Sequence, residues 1–301
     1  MMSKISEKIK EIPPKKAACV AGVALAALLA LNMYCKGGVC RINKKLDGKI
    51  IVITGGNAGI GEKVVRDLAT RGCTIIIGAR STDKNEEVIA SIKKKFPDAQ
   101  LDQCKLDLAS KDSIAAFSEY VGKKYDHIDI LINNAGVMAI PTKKTTQEGF
   151  EMQFGVNHLG HFYLTYLLWN LLKKSPEPRI TTTSSLAHER NGSVLDFDDL
   201  NAIHNYDPMN AYRRSKFANV VFAKELQRKM DEAGIEGRSV SVHPGVVRTD
   251  LVNHMLDNWF KKVMIYSMVY SMYPLFLATT KSPWQGAQTT LYTVLEDTDK
   301  L

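Results

Sequence analysis

Cysteine is scarce. The five in 301 residues (Cys19, Cys35, Cys40, Cys73, Cys104) are scattered and form no C-x-x-C pair, which excludes a disulfide scaffold and a zinc ribbon. Internal repeats and low-complexity tracts are absent. His158, His161, His188 and His204 lack metal-ligand spacing, so no metal site is expected and they read as packing or loop residues. A basic domain face is also missing. Residues 1–50 hold ten basic and three acidic residues, +7 of the total +8, which leaves the other 251 residues at +1. A nucleic-acid partner, which needs basic charge on the folded domain, is therefore not expected. With 45% hydrophobic and 24% charged residues, a disordered chain is excluded as well.

The basic charge flanks one apolar run. Ala17–Tyr34 (AACVAGVALAALLALNMY) has no charged residue. Eighteen helical residues span roughly 27 Å, enough for the hydrocarbon core of a bilayer. The reading is a basic tail (1–16), a transmembrane anchor (17–35) and a polar linker (36–46), followed by one domain (47–301). A cleaved signal peptide and a buried core helix are the rivals. The 16-residue charged lead is long for the first, and the basic flanks argue against the second. Lysines on both sides barely orient the segment.

Beyond the linker, short apolar runs alternate with helical patterns. Strands are expected at Lys49–Thr54, Thr74–Ala79, Gln100–Leu106, Ile128–Ile132, Arg179–Ser184 and Arg238–His243. Helices are expected at Glu62–Arg71, 83–95, Lys111–Lys124, Gln147–Lys173 and 209–230. This alternation predicts an α/β protein: a Rossmann-type, doubly wound parallel sheet with helices on both faces, preceded by the transmembrane helix. Ligands in such folds sit beyond the strand carboxyl ends.

After the first strand comes TGGNAGIG (54–61), a glycine turn of spacing G-x3-G-x-G opening a helix. Glycines let the backbone approach a pyrophosphate, and the helix N-terminus favours the anion. The second strand ends Gly78-Ala79-Arg80-Ser81. Ala79 stands where an acid would bind the adenosine ribose of NAD. Arg80 can pair with a 2′-phosphate and Ser81 can add a hydrogen bond, which favours NADP(H) over NAD(H). A solvated surface arginine is the plain alternative.

Tyr212 and Lys216 stand at i and i+4, on one helix face. An ammonium beside a phenol is expected to lower its pKa and fit it for acid–base work near neutrality. Alone, such a pair is common on surfaces. Here Ser184-Ser185 ends the fifth strand, Asn133-Asn134-Ala135-Gly136 follows the fourth, and Asn157 lies in the next helix.

With TGGNAGIG, KLDLAS (105–110), NNAG (133–136), NHLGHF (157–162), SS (184–185), YRRSK (212–216) and HPGVVRTDL (243–251) in order, the chain resembles the short-chain dehydrogenase/reductase family. The anchor, the insert before Tyr212, HPGVVRTDL and SPWQGAQTTLY (282–292) make it most similar to the membrane-anchored retinol dehydrogenase-like branch. The resemblance implies carbonyl/alcohol oxidoreduction with a nicotinamide cofactor. It implies Tyr212 as general acid/base, Lys216 as the group tuning it and holding the nicotinamide ribose, Ser185 as hydrogen-bond partner of the substrate oxygen, and Asn157 as anchor of a water leading protons to Lys216. Gly55, Asn57, Gly59, Ile60 and Gly61 would line the pyrophosphate, Asp107 the adenine, and Asn134 the cofactor crevice. Pro244, Gly245, Val247 and Thr249 would hold the nicotinamide end. Asp107 or Thr249 could equally cap a turn. One departure is RITTTSS (179–185), which puts three threonines in a strand expected to be aliphatic.

Val263–Ala278 is apolar and rich in Met and aromatics, and lies in a segment (253–280) expected to be a lid over a lipophilic pocket or an interfacial membrane element. The whole reads as an NADP(H)-dependent oxidoreductase of a lipophilic alcohol or carbonyl: a retinoid, steroid, polyprenoid or lipid aldehyde. It is expected in the endoplasmic reticulum membrane with its domain facing the cytosol, and a homodimer is compatible with it. The alternatives are an NAD-dependent alcohol dehydrogenase of the same fold and a non-catalytic nucleotide-binding scaffold. Asn191-Gly192-Ser193 is a glycosylation sequon that matters only in a lumen.

Overall fold

The computed structural model describes residues 13–189, 195–249 and 273–301. The sequon and most of the expected lid lie outside the described residues. Six strands form one parallel sheet: β1 (Ile50–Thr54), β2 (Thr74–Ala79), β3 (Gln100–Lys105), β4 (Ile130–Asn133), β5 (Arg179–Thr183) and β6 (Arg238–Val242). Their spatial order is β3-β2-β1-β4-β5-β6. The order reverses between β1 and β4, so a crevice opens at their carboxyl ends. The helices are α1 (Pro14–Lys36), α2 (Gly59–Leu68), α3 (Thr82–Lys93), α4 (Lys111–Lys124), α5 (Gly160–Leu172), α6 (Pro208–Glu232), α7 (Tyr273–Thr279) and α8 (Pro283–Leu295).

Strand alternation splits the core into two layers. Ile51, Ile53, Ile75 and Ile77 pack with Val64, Val65 and Leu68 of α2 and with Leu291 and Val294 of α8. Val52, Ile76 and Leu131 face the other way, onto Phe117 and Val121 of α4, Leu164 and Leu168 of α5, and Met230 of α6. Burial on both faces explains why these strands read as unbroken apolar runs. Two of the three β5 threonines have paired hydroxyls, and Thr183 Oγ1 has no partner among the described residues. Thr181 meets Thr293 of α8 at 3.1 Å, and Thr182 accepts from Asn133 at 3.4 Å.

The long helix expected over 147–173 starts later. Thr145 and Glu151 form an antiparallel bridge, and Gly149 takes φ +84°, a conformation that closes a bend. Glu151 then caps the N–H groups of Gln153 and Phe154. A helical turn (Met152–Phe154) and a π-helical turn (Gly155–Leu159) lead into α5. Helix α8 was not marked by strand–helix alternation. Its start is a capping box: Ser282 accepts from Gln285 N–H, and the Gln285 side chain accepts from Ser282 N–H.

α1 is apolar and solvent-facing, with a candidate span Ala18–Lys36 of mean hydropathy 2.0 and none of it buried in protein. It is also docked: Asn32 Nδ2 donates to the Leu277 carbonyl of α7 at 3.1 Å. The following linker lies on the domain. Arg71 donates to the carbonyls of Ile42 and Lys44, and Gln288 accepts from the Cys40 N–H.

Candidate active site

All six strands are parallel, so Thr54, Asn133, Thr183 and the residues after them meet at one edge of the sheet. The glycine turn is held there from both sides. Gly55 (φ +67°) and Gly59 (φ +54°) occupy the left-handed region, where a side chain is strained. At Gly61 a Cβ would lie 2.2 Å from the Gly55 carbonyl oxygen. Asn134 Nδ2 donates to the carbonyls of Thr54 (2.9 Å) and Gly55 (3.3 Å), and Asn57 Nδ2 donates to the Ser81 carbonyl at 3.3 Å. Helix α2 begins at Gly59 with no side-chain cap. Its first N–H groups, beside a turn free of bulky side chains, suit a phosphate anion. The residues present therefore fit a dinucleotide. Arg80 is exposed at the tip of β2, next to Ser81, whose hydroxyl caps α3 by accepting from Lys84 N–H. Asp107 accepts from the Ala109 N–H at 3.0 Å and so closes its own turn.

In the loop after β6, expected from the sequence to hold the nicotinamide, Gly245 takes φ +90°, and Val247 pairs with Lys281 in an isolated parallel bridge. The Lys281 N–H donates to the Val246 carbonyl at 2.8 Å. Thr249 reaches the glycine turn: a Cβ on Gly59 would sit 3.2 Å from its methyl. Pro244 is buried beside this loop, and Ile60 packs on the α2–α8 layer.

Tyr212 and Lys216 lie on one face of α6, both buried, with Lys216 Nζ 5.7 Å from the Tyr212 ring centre. Nζ donates to the Thr183 carbonyl at 2.9 Å, which aims it at the carboxyl edge of the sheet. The two serines after β5 separate: Ser184 Oγ donates to the Lys216 carbonyl at 2.7 Å, whereas Ser185 Oγ accepts the Ala187 N–H at 3.2 Å beside the Tyr212 side chain. Burial pushes the phenol pKa up, partly offset by Ser185. That direction is opposite to the sequence expectation, because burial disfavours the phenolate while Lys216 Nζ is bonded to the Thr183 carbonyl rather than to the phenol. Burial also lowers Lys216, to about 8.

Asn157 is fully buried in the π-turn. Its amide accepts from Val137 N–H (2.8 Å) and donates to the Val137 carbonyl and Ser215 Oγ (2.9 Å each). Its Oδ1 keeps a second lone pair. A Cβ on Gly136 would lie 3.2 Å from that oxygen and 3.7 Å from Lys216 Nζ, so the two atoms border one small space.

Two residues that the sequence does not single out also belong here. His161, expected only to pack, is buried between Thr54 Oγ1 (2.9 Å from Nε2) and the Asn157 carbonyl (3.0 Å from Nδ1). Asn219 Nδ2 donates to the carbonyls of Asn157 (3.0 Å) and Thr183 (3.1 Å). The signal for both was a polar side chain one or two turns from Asn157 or Lys216, on a helix face that must be buried. Among the described residues there is no cluster of three or more potential metal ligands.

Comparison with known proteins agrees with this geometry. A family model described as short chain dehydrogenase matches residues 49–258. Human retinol dehydrogenase 12 is 40% identical over 268 residues, covering 89% of this chain and 80% of that protein. Human retinol dehydrogenase 13 is 40% identical over 275 residues, covering 90% and 79%. Among solved structures, an uncharacterised protein from Mycobacterium paratuberculosis superimposes with a TM-score of 0.67 at 33% identity, covering 87% of this chain and 81% of that one. Salutaridine reductase from Papaver somniferum, at 20% identity and a TM-score of 0.60 over 83% and 97%, shares the fold.

Proposed function

The chain belongs to the short-chain dehydrogenase/reductase family, in its retinol dehydrogenase-like branch, and on that premise we propose that it is a membrane-anchored NADP(H)-dependent reductase of a lipophilic carbonyl, a retinoid aldehyde first. That it is a nicotinamide-dependent oxidoreductase follows from the family. The single observation that carries the rest is the buried pair Tyr212 and Lys216, with half-buried Ser185 beside the phenol, at the sheet edge that carries the turn at Gly55–Gly61.

The nicotinamide, when bound, supplies or accepts the hydride. The protein's own residues do the remainder. Tyr212, its pKa raised by burial, stays a neutral phenol at physiological pH and so holds the proton that a nascent alkoxide needs. Ser185 positions the substrate oxygen and, with Tyr212, offers two donors to its developing charge. Lys216 brings a positive charge to the ribose side of the cofactor crevice. Asn157 Oδ1 and Lys216 Nζ border a space that suits a relay water. Gly55, Asn57, Gly59, Ile60 and Gly61 take the pyrophosphate, Asp107 the adenine, Asn134 the crevice wall, and Pro244, Gly245, Val247 and Thr249 the carboxamide end. Arg80 and Ser81, at the tip of β2 beside Ala79, favour a 2′-phosphate over a bare ribose. The names of the retinol dehydrogenase relatives support a retinoid.

The apolar span of α1, none of which is buried in protein, supports anchoring in a bilayer. In this reading the anchor lies in the endoplasmic reticulum membrane with the domain on the cytosolic face.

The test is turnover of NADPH by full-length protein in lipid vesicles with retinaldehyde, steroid ketones and long-chain aldehydes. The proposal expects oxidation with retinaldehyde that a Tyr212→Phe variant lacks. Equal rates for the two proteins across the panel would leave the non-catalytic scaffold reading in its place.

A further inference from the structure

We propose that His161 is a positioning residue that joins the cofactor-binding turn to the catalytic lysine through one buried hydrogen-bond path, and that its two ring nitrogens serve separable ends of the reaction. The inference rests on the function proposed above for Tyr212, Lys216 and the glycine turn.

The path can be followed atom by atom. Thr54 Oγ1, at the end of β1, accepts the backbone N–H groups of Asn134 and Ala135, each at 2.9 Å. A hydroxyl has two acceptor sites and one hydrogen. Both acceptor sites are used, so the hydrogen goes to His161 Nε2 at 2.9 Å. That makes Nε2 the acceptor, puts the ring proton on Nδ1, and lets Nδ1 donate to the Asn157 carbonyl at 3.0 Å. The tautomer is thus dictated by the valence of Thr54. Complete burial also keeps the ring neutral, with its pKa pushed down to about 3.

The path continues past Asn157. Its carbonyl takes a second donor, Asn219 Nδ2, whose other hydrogen goes to the Thr183 carbonyl. Thr183 in turn accepts from Lys216 Nζ. The π-turn makes room for this arrangement. Its i+5 pairing, seen in the Gly160 N–H bonded to the Gly155 carbonyl, replaces α-helical pairing just where Asn157 receives two side-chain donors. Every link is buried or half-buried, so none is easily replaced by water.

Both ring nitrogens are bonded, one to the end of β1 that opens the glycine turn and one to the π-turn that holds Asn157. Seen this way, the imidazole has a cofactor end, Nε2 on Thr54, and a catalytic end, Nδ1 on Asn157. His161→Asn places an amide near Nδ1 and abandons Thr54, while His161→Gln reaches Thr54 and abandons Asn157.

The experiment measures binding of NADPH alone to each full-length variant, and kcat at saturating NADPH with retinaldehyde in vesicles. His161→Asn is expected to weaken NADPH binding about tenfold with kcat near wild type. His161→Gln is expected to bind NADPH like wild type and lose about tenfold in kcat, these being the sizes expected for one orphaned buried partner. Equal losses in both quantities for both variants, or no loss in either, would overturn the proposal. Should the histidine variants not fold, Asn219→Leu reads the catalytic end: a loss in kcat larger than the loss in NADPH affinity supports the path, and unchanged kcat overturns it. Because NADPH binding is read without substrate, failure of the retinoid assignment stays distinguishable from failure of this inference.

Discussion

Lys216 Nζ lies 2.9 Å from the Thr183 carbonyl oxygen, tethered to the end of a central strand, while the Tyr212 ring lies across it at 5.7 Å. The lysine is placed by backbone, and its charge is costly because it is buried. Burial lowers its pKa to about 8. Between about 8 and 10.5 the unfolded chain therefore holds more of this proton than the folded one does, and stability rises with pH across that window. The same titration removes a positive charge from the cofactor crevice. NADPH affinity of the protein should fall as pH passes upward through about 8, and titration calorimetry between pH 7 and 9 checks it. A flat affinity over that range would show that this ammonium does not face the cofactor.

Two neighbouring histidines set the acid side. Burial pushes His161 to about 3 and His158 to about 4, both well below the ordinary 6.5. The unfolded chain takes up protons that the folded one refuses as pH falls from 6.5, so stability should decline towards acid and recover fully above 6.5. Urea unfolding of the wild type and of His161→Gln should differ in slope over pH 4–6.5 by up to about one proton. Identical slopes would mean that His161 titrates normally.

The glycine turn tolerates nothing larger at Gly61, where a Cβ would meet the Gly55 carbonyl at 2.2 Å and Asn134 Nδ2 at 2.6 Å. Gly61→Ala should weaken binding of either nicotinamide dinucleotide at least tenfold, whereas Gly234→Ala, which meets nothing within 4 Å but takes φ +65°, should cost only about 1 kcal/mol of stability. Fluorescence titration with NADPH and chemical unfolding distinguish the two.

At Arg80 the prediction is selectivity. The guanidinium is exposed at the tip of β2 with Ser81 beside it. Arg80→Ala should lower NADPH affinity by about 1.5–3 kcal/mol and leave NADH unchanged, the size of a lost charge-assisted pair. Equal effects on both dinucleotides would point to a general electrostatic role instead.

Much of this is legible in the sequence because β1, β2 and β4 are buried on both faces and read as apolar runs, whereas the edge strand β3 (QLDQCK) is polar and partly exposed and is placed by the alternation of strands and helices around it. The helix over 147–173 was misplaced at its start because nothing in its periodicity reveals the bend that Gly149 closes or the π-turn after it. The tuning of Tyr212 was expected in the wrong direction. Spacing put Lys216 on the right face, but only coordinates show Nζ bonded to Thr183 rather than to the phenol, with burial dominating. His161 and Asn219 are not legible in the sequence because a hydrogen-bond path through five elements has no linear pattern.

The most direct measurement follows the hydrogen. Full-length protein in vesicles is given retinaldehyde and NADPH carrying deuterium at nicotinamide C4 on one face or the other, and the alcohol product is analysed by mass spectrometry. The account predicts that one deuterium, from one face only, appears on the carbinol carbon, and that Tyr212→Phe slows this transfer by about 10²–10⁴-fold without altering NADPH binding. Alcohol formed without deuterium from either face, or at the same rate in Tyr212→Phe, would contradict it.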